Sequence, residues 1–553
     1  MPSHRVRPTL LLCVFAATIA GACSTVPPPP PLPPPPPPMA PPPPPPPPMP
    51  GMAAAETRRD RTQREEFNRE GYRVIVENEF ADVTAHPLST FAIDVDAASY
   101  SNVRRFLRDG TLPPRDAVRV EELVNYFDYD YPDPTGADPF SITTEISAAP
   151  WNPAHRLVHV GIQGRRMNTR DLPASNLVFL IDVSGSMDYP NKLPLVKQAF
   201  RLLVDQLRPQ DRVGIVVYAG AAGVVLEPTP GDQKETILEA IQSLRPGGST
   251  AGAQGIRRAY QLARQAFIPG GNNRVVLATD GDFNVGVSSD AELVRLIEQE
   301  RQSGVFLTVL GFGTGNYQDA KMEQLADAGN GNFAYIDQLQ EARKVLVREM
   351  GGTLFTIAKD VKVQVEFNPA RVKAYRLIGY ENRLLAAEDF ADDARDGGEL
   401  GAGHSVTALY EIIPADSDEP VRGTGPLRYQ TTQPRTGAGG NELMTVALRY
   451  KDPDGDVSRL VQHPVLDRGV ALARTSDDFR FAAAVAEWGL LLRDSRFKAN
   501  ATWPAVAELA RGALGDDRGG YRAEFVRLVA QSQHLAETRR GDDRPHGDDG
   551  GRR

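Results

Sequence analysis

The chain has 553 residues, 24% of them charged, with a formal net charge of −9. That is enough for several domains with buried cores, and it lacks the basic balance of a nucleic-acid binder. Its only cysteines are Cys13 and Cys23, so everything downstream lacks structural disulfides, thiolate metal sites and cysteine nucleophiles. After the N-terminus no run of about 20 apolar residues occurs, and no membrane-spanning helix is expected there.

The first segment reads as a targeting sequence. Arg5 and Arg7 precede the apolar stretch Leu10 to Ile19, and the small residues Ala20, Gly21 and Ala22 lead to Cys23. This layout resembles a bacterial lipoprotein signal over residues 1–22. The resemblance implies that Cys23 is lipidated, that it becomes the first residue of the mature chain, and that the protein is anchored in the cell envelope. Ser24 follows rather than Asp, which by the sorting rule of Gram-negative bacteria implies the outer membrane.

Residues 23–79 form a proline-rich stalk and linker. Residues 27–50 are almost all proline, and an extended polyproline II run of that length reaches roughly 75 Å at about 3.1 Å per residue. A flanking domain is expected over 80–170, with helices at Ala97 to Arg108 and Ala117 to Phe127. Asp94 and Asp96 do not begin a calcium loop, because Ser99 and Arg105 stand where Gly and Glu are required. The acidic-aromatic run Tyr126 to Tyr131 is expected to pack at an edge. Period-2 strands follow at Phe140 to Ile146 and Val158 to Ile162, with His159 on the opposite, solvated face.

Over 171–352 the pattern changes to alternating strands and helices. Strand runs at Leu177 to Ile181, Val213 to Tyr218, Val275 to Ala278, Val305 to Leu310 and Phe333 to Ile336 alternate with five helical patterns. This predicts an α/β unit, a doubly wound, mostly parallel, Rossmann-like sheet covered on both faces. Period 2 returns over 353–536, at Val361 to Phe367, Val406 to Ile412 and Met444 to Tyr450, before helices resume around Trp488 and from Pro504. The α/β unit is therefore expected to be inserted in, or flanked by, a β-sandwich with a C-terminal helical segment. Residues 537–553 are polar and expected to be a disordered tail.

The motif that carries chemistry is "LVFLIDVSGSMD", residues 177–188, an apolar strand ending in Asp182, Ser184 and Ser186. In a doubly wound sheet of order 3-2-1-4-5-6, ligands bind beyond the carboxyl ends of strands at the switch point. Asp280 ends the strand expected to lie beside that of Asp182, and Thr250 sits in the third polar loop, "PGGSTAG". Two carboxylates and three hydroxyls form an all-oxygen donor set, which suits Mg²⁺ first, with Mn²⁺ or Ca²⁺ as alternatives. So few anions leave a divalent ion under-neutralised and open to an acidic group from outside.

These residues resemble the metal-ion-dependent adhesion site (MIDAS) of the von Willebrand factor type A (vWA) family. The resemblance implies that Ser184, Ser186 and Thr250 bind metal directly or through water, and Asp182 and Asp280 largely through water. The stretches "HPLSTFAIDVDAASYSNVRRFL" and "GGTLFTIAKDVKVQVEFNPARVKAYRLIGYEN" resemble bacterial lipoproteins that surround such a domain with family-specific flanks.

No enzyme is expected. An aspartyl-nucleophile phosphatase wants a second Asp where Ser184 stands, Gly-x-Ser-x-Gly is absent, and no general base accompanies the motif. Gly311, Gly313 and Gly315 are spaced like a dinucleotide loop but follow a late strand. The expected function is metal-dependent protein–protein interaction or adhesion at the envelope. The partner would be a protein offering an acidic residue to the metal, and the lipid anchor would supply membrane attachment, with no role for nucleic acid. The alternative is an envelope scaffold with a vestigial metal site.

Overall fold

The computed structural model describes residues 70–542 except 94–95, 169–171, 221, 249–251, 282–289, 316, 350–354, 394–396, 422–439 and 454. Cys23, the signal, the proline stretch and Thr250 lie outside the described residues.

The α/β unit is built on a six-stranded sheet. Its spatial order is Phe333–Ile336, Phe306–Phe312, Asn272–Thr279, Ser175–Asp182, Arg212–Tyr218 and Ala222–Pro230, with the last strand antiparallel to its neighbour and the rest parallel. In chain order this is 3-2-1-4-5-6, the arrangement that sets Asp182 and Asp280 on adjacent strands. The sequence pattern missed the edge strand Ala222–Pro230, which is mostly half-exposed, and the helix Lys234–Ser243 after it.

Ser175–Asp182 is buried along its whole length because both faces are covered. Leu177, Phe179 and Ile181 share a core with Val196, Phe200 and Leu203 of the helix Leu193–Gln206. Val178 and Leu180 pack with Ile256, Ala259 and Leu262 of the helix Gly252–Gln265 on the other side.

Strands from before and after this unit combine into two antiparallel sheets. One runs Ala81–Asp82, Val372–Ile378, Ser405–Pro414, Asn152–Gly164, Phe140–Ala149. The other runs Leu384–Leu385, Leu88–Ala92, Thr356–Phe367, Glu442–Lys451, Ser458–Leu466. Their facing side chains, among them Val158, Val160, Ile162, Val363, Val365, Tyr410 and Val446, form one core. The α/β unit is thus inserted in a β-sandwich.

A helical layer covers the outer face of the first sheet. The helices Asp477–Arg493, Trp503–Arg511 and Tyr521–Asp542 pack with Ala98–Arg108 and Val120–Asn125 around Trp488, Tyr100, Tyr126 and Phe525. Ser476 caps the first of these by accepting from the Phe479 N–H.

This layer corrects three expectations. His159 is fully buried, with Nε2 2.8 Å from the Tyr131 hydroxyl, because its face of the sheet meets the helices and not water. Tyr126, Phe127, Tyr129 and Tyr131 belong to the core for the same reason, not to an edge. The last helix continues to Asp542, so residues 537–542 are helical where a disordered tail was expected.

Candidate metal-binding site at the strand ends

Asp182 is the last residue of its strand and is fully buried. Its Oδ1 accepts from the Ser184 N–H at 2.8 Å, which folds the following residues back over the strand end. Its Oδ2 accepts from the Tyr218 hydroxyl at 3.2 Å and the Thr279 hydroxyl at 3.3 Å, both on flanking strands. Burial pushes the carboxyl up to about 6, opposed by the bonds from Ser184 and reinforced by the nearby Asp280. Burial and the Asp182 carboxylate also push the Tyr218 phenol well up, so it stays a donor.

After Val183 the chain makes one 3-10 turn, Gly185–Met187. That turn brings the Ser184 and Ser186 hydroxyl oxygens within 3.0 Å of each other. Ser184 is buried, Ser186 half-buried, and Gly185 and Asp188 reach solvent. Met187, the apolar residue of the turn, is sunk into the core and pins it.

The loop toward Thr250 is tied to this turn by two backbone bonds. The Gly247 N–H donates to Val183 at 2.8 Å and the Gly185 N–H donates to Gly248 at 3.2 Å. Gly248 has φ +89, and a Cβ there would crowd the Gly220 backbone N at 3.0 Å. Glycine at 248 is what lets this loop lie against the one at Ala219 and Gly220.

Asp280 directly follows the strand Asn272–Thr279 and is fully buried. Its Oδ2 accepts from the Lys192 ammonium at 2.8 Å, in an ion pair nearly closed to water. The sequence did not single out Lys192, whose partner lies 88 positions away.

Of the five residues expected at the site, the structure gathers Asp182, Ser184, Ser186 and Asp280 around the carboxyl ends of two adjacent parallel strands. Among the described residues no group of three or more His, Cys, Asp or Glu side chains is placed to hold a metal. The donor set here is of another kind, two carboxylates supplemented by hydroxyls. Its all-oxygen chemistry fits a hard divalent cation.

Comparison with known proteins agrees with this reading of the fold. Residues 176–348 match the von Willebrand factor type A domain, residues 66–159 the model described as von Willebrand factor, and residues 352–535 the C-terminal domain of uncharacterized protein YfbK. The chain is 45% identical over 466 residues to uncharacterized protein YfbK of Escherichia coli (strain K12), covering 83% of this chain and 80% of that one. It belongs to the YfbK family. This YfbK-family chain is also 28% identical over 203 residues to a UPF0353 protein of Mycolicibacterium paratuberculosis, covering 32% of this chain and 60% of that protein. Among solved structures, a von Willebrand factor type A protein from Catenulispora acidiphila aligns at 18% identity and a TM-score of 0.37, over 72% of this chain and 91% of that one.

Proposed function

We propose that this YfbK-family member is a lipid-anchored envelope protein that binds a protein partner through a divalent ion. Asp182, Ser184, Ser186, Thr250 and Asp280 would hold the ion, and the protein is not an enzyme. A vWA domain suggests protein–protein interaction or adhesion. The observation that supports the finer reading is the pair of serine hydroxyls 3.0 Å apart in the turn that the buried Asp182 carboxylate holds through the Ser184 N–H. Such a set holds Mg²⁺, or Mn²⁺ or Ca²⁺, through few direct ligands, and the partner's Asp or Glu completes the shell. Cys23 would carry the lipid, and the proline stretch would set the domains off from the membrane, the outer one in a Gram-negative cell.

The test is capture of envelope proteins on immobilised wild type and Asp182→Ala, each with Mg²⁺ and with chelator. A partner retained only by wild type with Mg²⁺ supports the reading. Equal retention in all four arms contradicts it. For the anchor, Cys23→Ala should move the protein from the membrane to the soluble fraction.

A second reading, a scaffold with a vestigial site, draws on one observation. The Lys192 ammonium already neutralises Asp280, and a site that has lost its ion would need such a replacement.

A further inference from the structure

Lys192 stands where local preference would not put it. It is the residue before the helix Leu193–Gln206, makes no side-chain cap, and places a positive charge at the positive end of the helix dipole. The side chain is nevertheless 5% exposed and drawn inward to Asp280. Room for it is built into a third loop. Gly313 has φ +78, and a Cβ at that position would run into the Lys192 methylenes. The Gly313 carbonyl is fixed by the Tyr335 hydroxyl at 2.7 Å, and the ammonium lies 5.4 Å from the Tyr189 ring. Gly313 of the glycine-spaced loop therefore accommodates a lysine.

Resting on the metal-site reading above, we propose that Lys192 is a resident counter-charge that sets the balance between metal and acidic ligand. Two carboxylates alone would cancel a divalent ion, so the under-neutralised ion expected from the sequence requires a further positive charge, which the ammonium paired to Asp280 supplies. Lys192 thereby weakens metal binding by repulsion and by occupying Asp280. In exchange it leaves the loaded site electropositive toward an incoming carboxylate. Because the pair is shielded from water, this repulsion is stronger than it would be between exposed charges.

The experiment titrates Mn²⁺ calorimetrically into the full chain as wild type, Lys192→Met and Lys192→Gln, with circular dichroism to select folded variants. Paramagnetic broadening of the acetate methyl signal then probes the Mn²⁺-loaded site. The expected result is Mn²⁺ affinity at least threefold tighter in the folded variants, with acetate broadening reduced at equal metal occupancy. Mn²⁺ affinity that is weaker, or tighter by less than threefold, overturns the proposal, as does acetate broadening that is unchanged or greater. Wild type that binds no Mn²⁺ overturns both this proposal and the metal-site reading. A wild type that binds, beside variants of unchanged affinity, removes only the role of Lys192.

Discussion

Carboxylates stand at the ends of parallel strands both at the flank and at the centre of the α/β sheet, and the protein treats the two regions in opposite ways. After Phe333–Ile336, at the flank of the sheet, Asp337 and Glu341 meet the fully buried Arg104 of the neighbouring helix at 2.5 and 2.6 Å. Glu524 of the last helix adds a third carboxylate at 3.1 Å, and the Tyr126 hydroxyl accepts from the same guanidinium at 2.9 Å. At the end of Ser175–Asp182, at the centre of the sheet, the donors to Asp182 among the described residues are neutral, and Ser186 is half-buried. A strand end that other layers of the chain cover is satisfied internally. The one at the switch point gathers carboxylate and hydroxyl oxygens where doubly wound sheets bind ligands, and it is there that the proposed ion would sit.

Breaking the satisfied region should give the largest effect. Arg104→Ala leaves Asp337, Glu341 and Glu524 without their shared cation, and loss of one partner from a buried ionic cluster costs about 3–5 kcal/mol. The midpoint of thermal unfolding should fall by several degrees while Mn²⁺ affinity at Asp182 stays the same. An unchanged midpoint would show that the cluster does not hold the helical layer to the α/β unit.

The next effect is a pH dependence from the same covered interior. Burial pushes His159 down from 6.5 to about 4. Between those values the unfolded chain binds a proton that the folded chain refuses. Stability present above 6.5 is therefore lost as the pH falls toward 4, by about 3 kcal/mol if the shift is fully expressed. Urea unfolding at pH 7 and pH 4.5 should show this loss, and His159→Gln should reduce it. A slope identical in both proteins would mean that other groups govern the acid limb.

The smallest effect sharpens the contrast from the open side. Ser186→Ala removes one half-buried hydroxyl and no charge. It should weaken Mn²⁺ binding about tenfold, the scale of losing one supporting group at a metal site, and leave thermal unfolding unmoved. A lowered unfolding midpoint with unchanged Mn²⁺ affinity would instead make Ser186 a structural residue of the turn.

The open region was the more legible in sequence. The long apolar run before Asp182, the short one before Asp280 and the strand–helix alternation mark the α/β class, and the common doubly wound order, once assumed, brings the two carboxylates together. Those features are local, so a single chain shows them. What was hidden depends on layers meeting from far apart. His159 reads as solvated because period 2 marks one buried face, and nothing nearby announces that helices 300 residues later cover the other. Gly161 on the same face was the available signal, since a strand glycine marks close approach, here of the Tyr131 ring. Lys192 was hidden by the distance to Asp280, although a lysine directly before the buried Leu193 hinted at an inward path.

The most direct measurement is calorimetric titration of Mn²⁺ into the full chain, wild type against Asp182→Ala, with circular dichroism on both. Asp182 contributes a charge as well as oxygen atoms, and its turn lies beyond the sheet. Wild type should therefore bind one ion, and the variant should remain folded and show no measurable binding. Equal binding by the two folded proteins would contradict the assignment of the metal to this strand end.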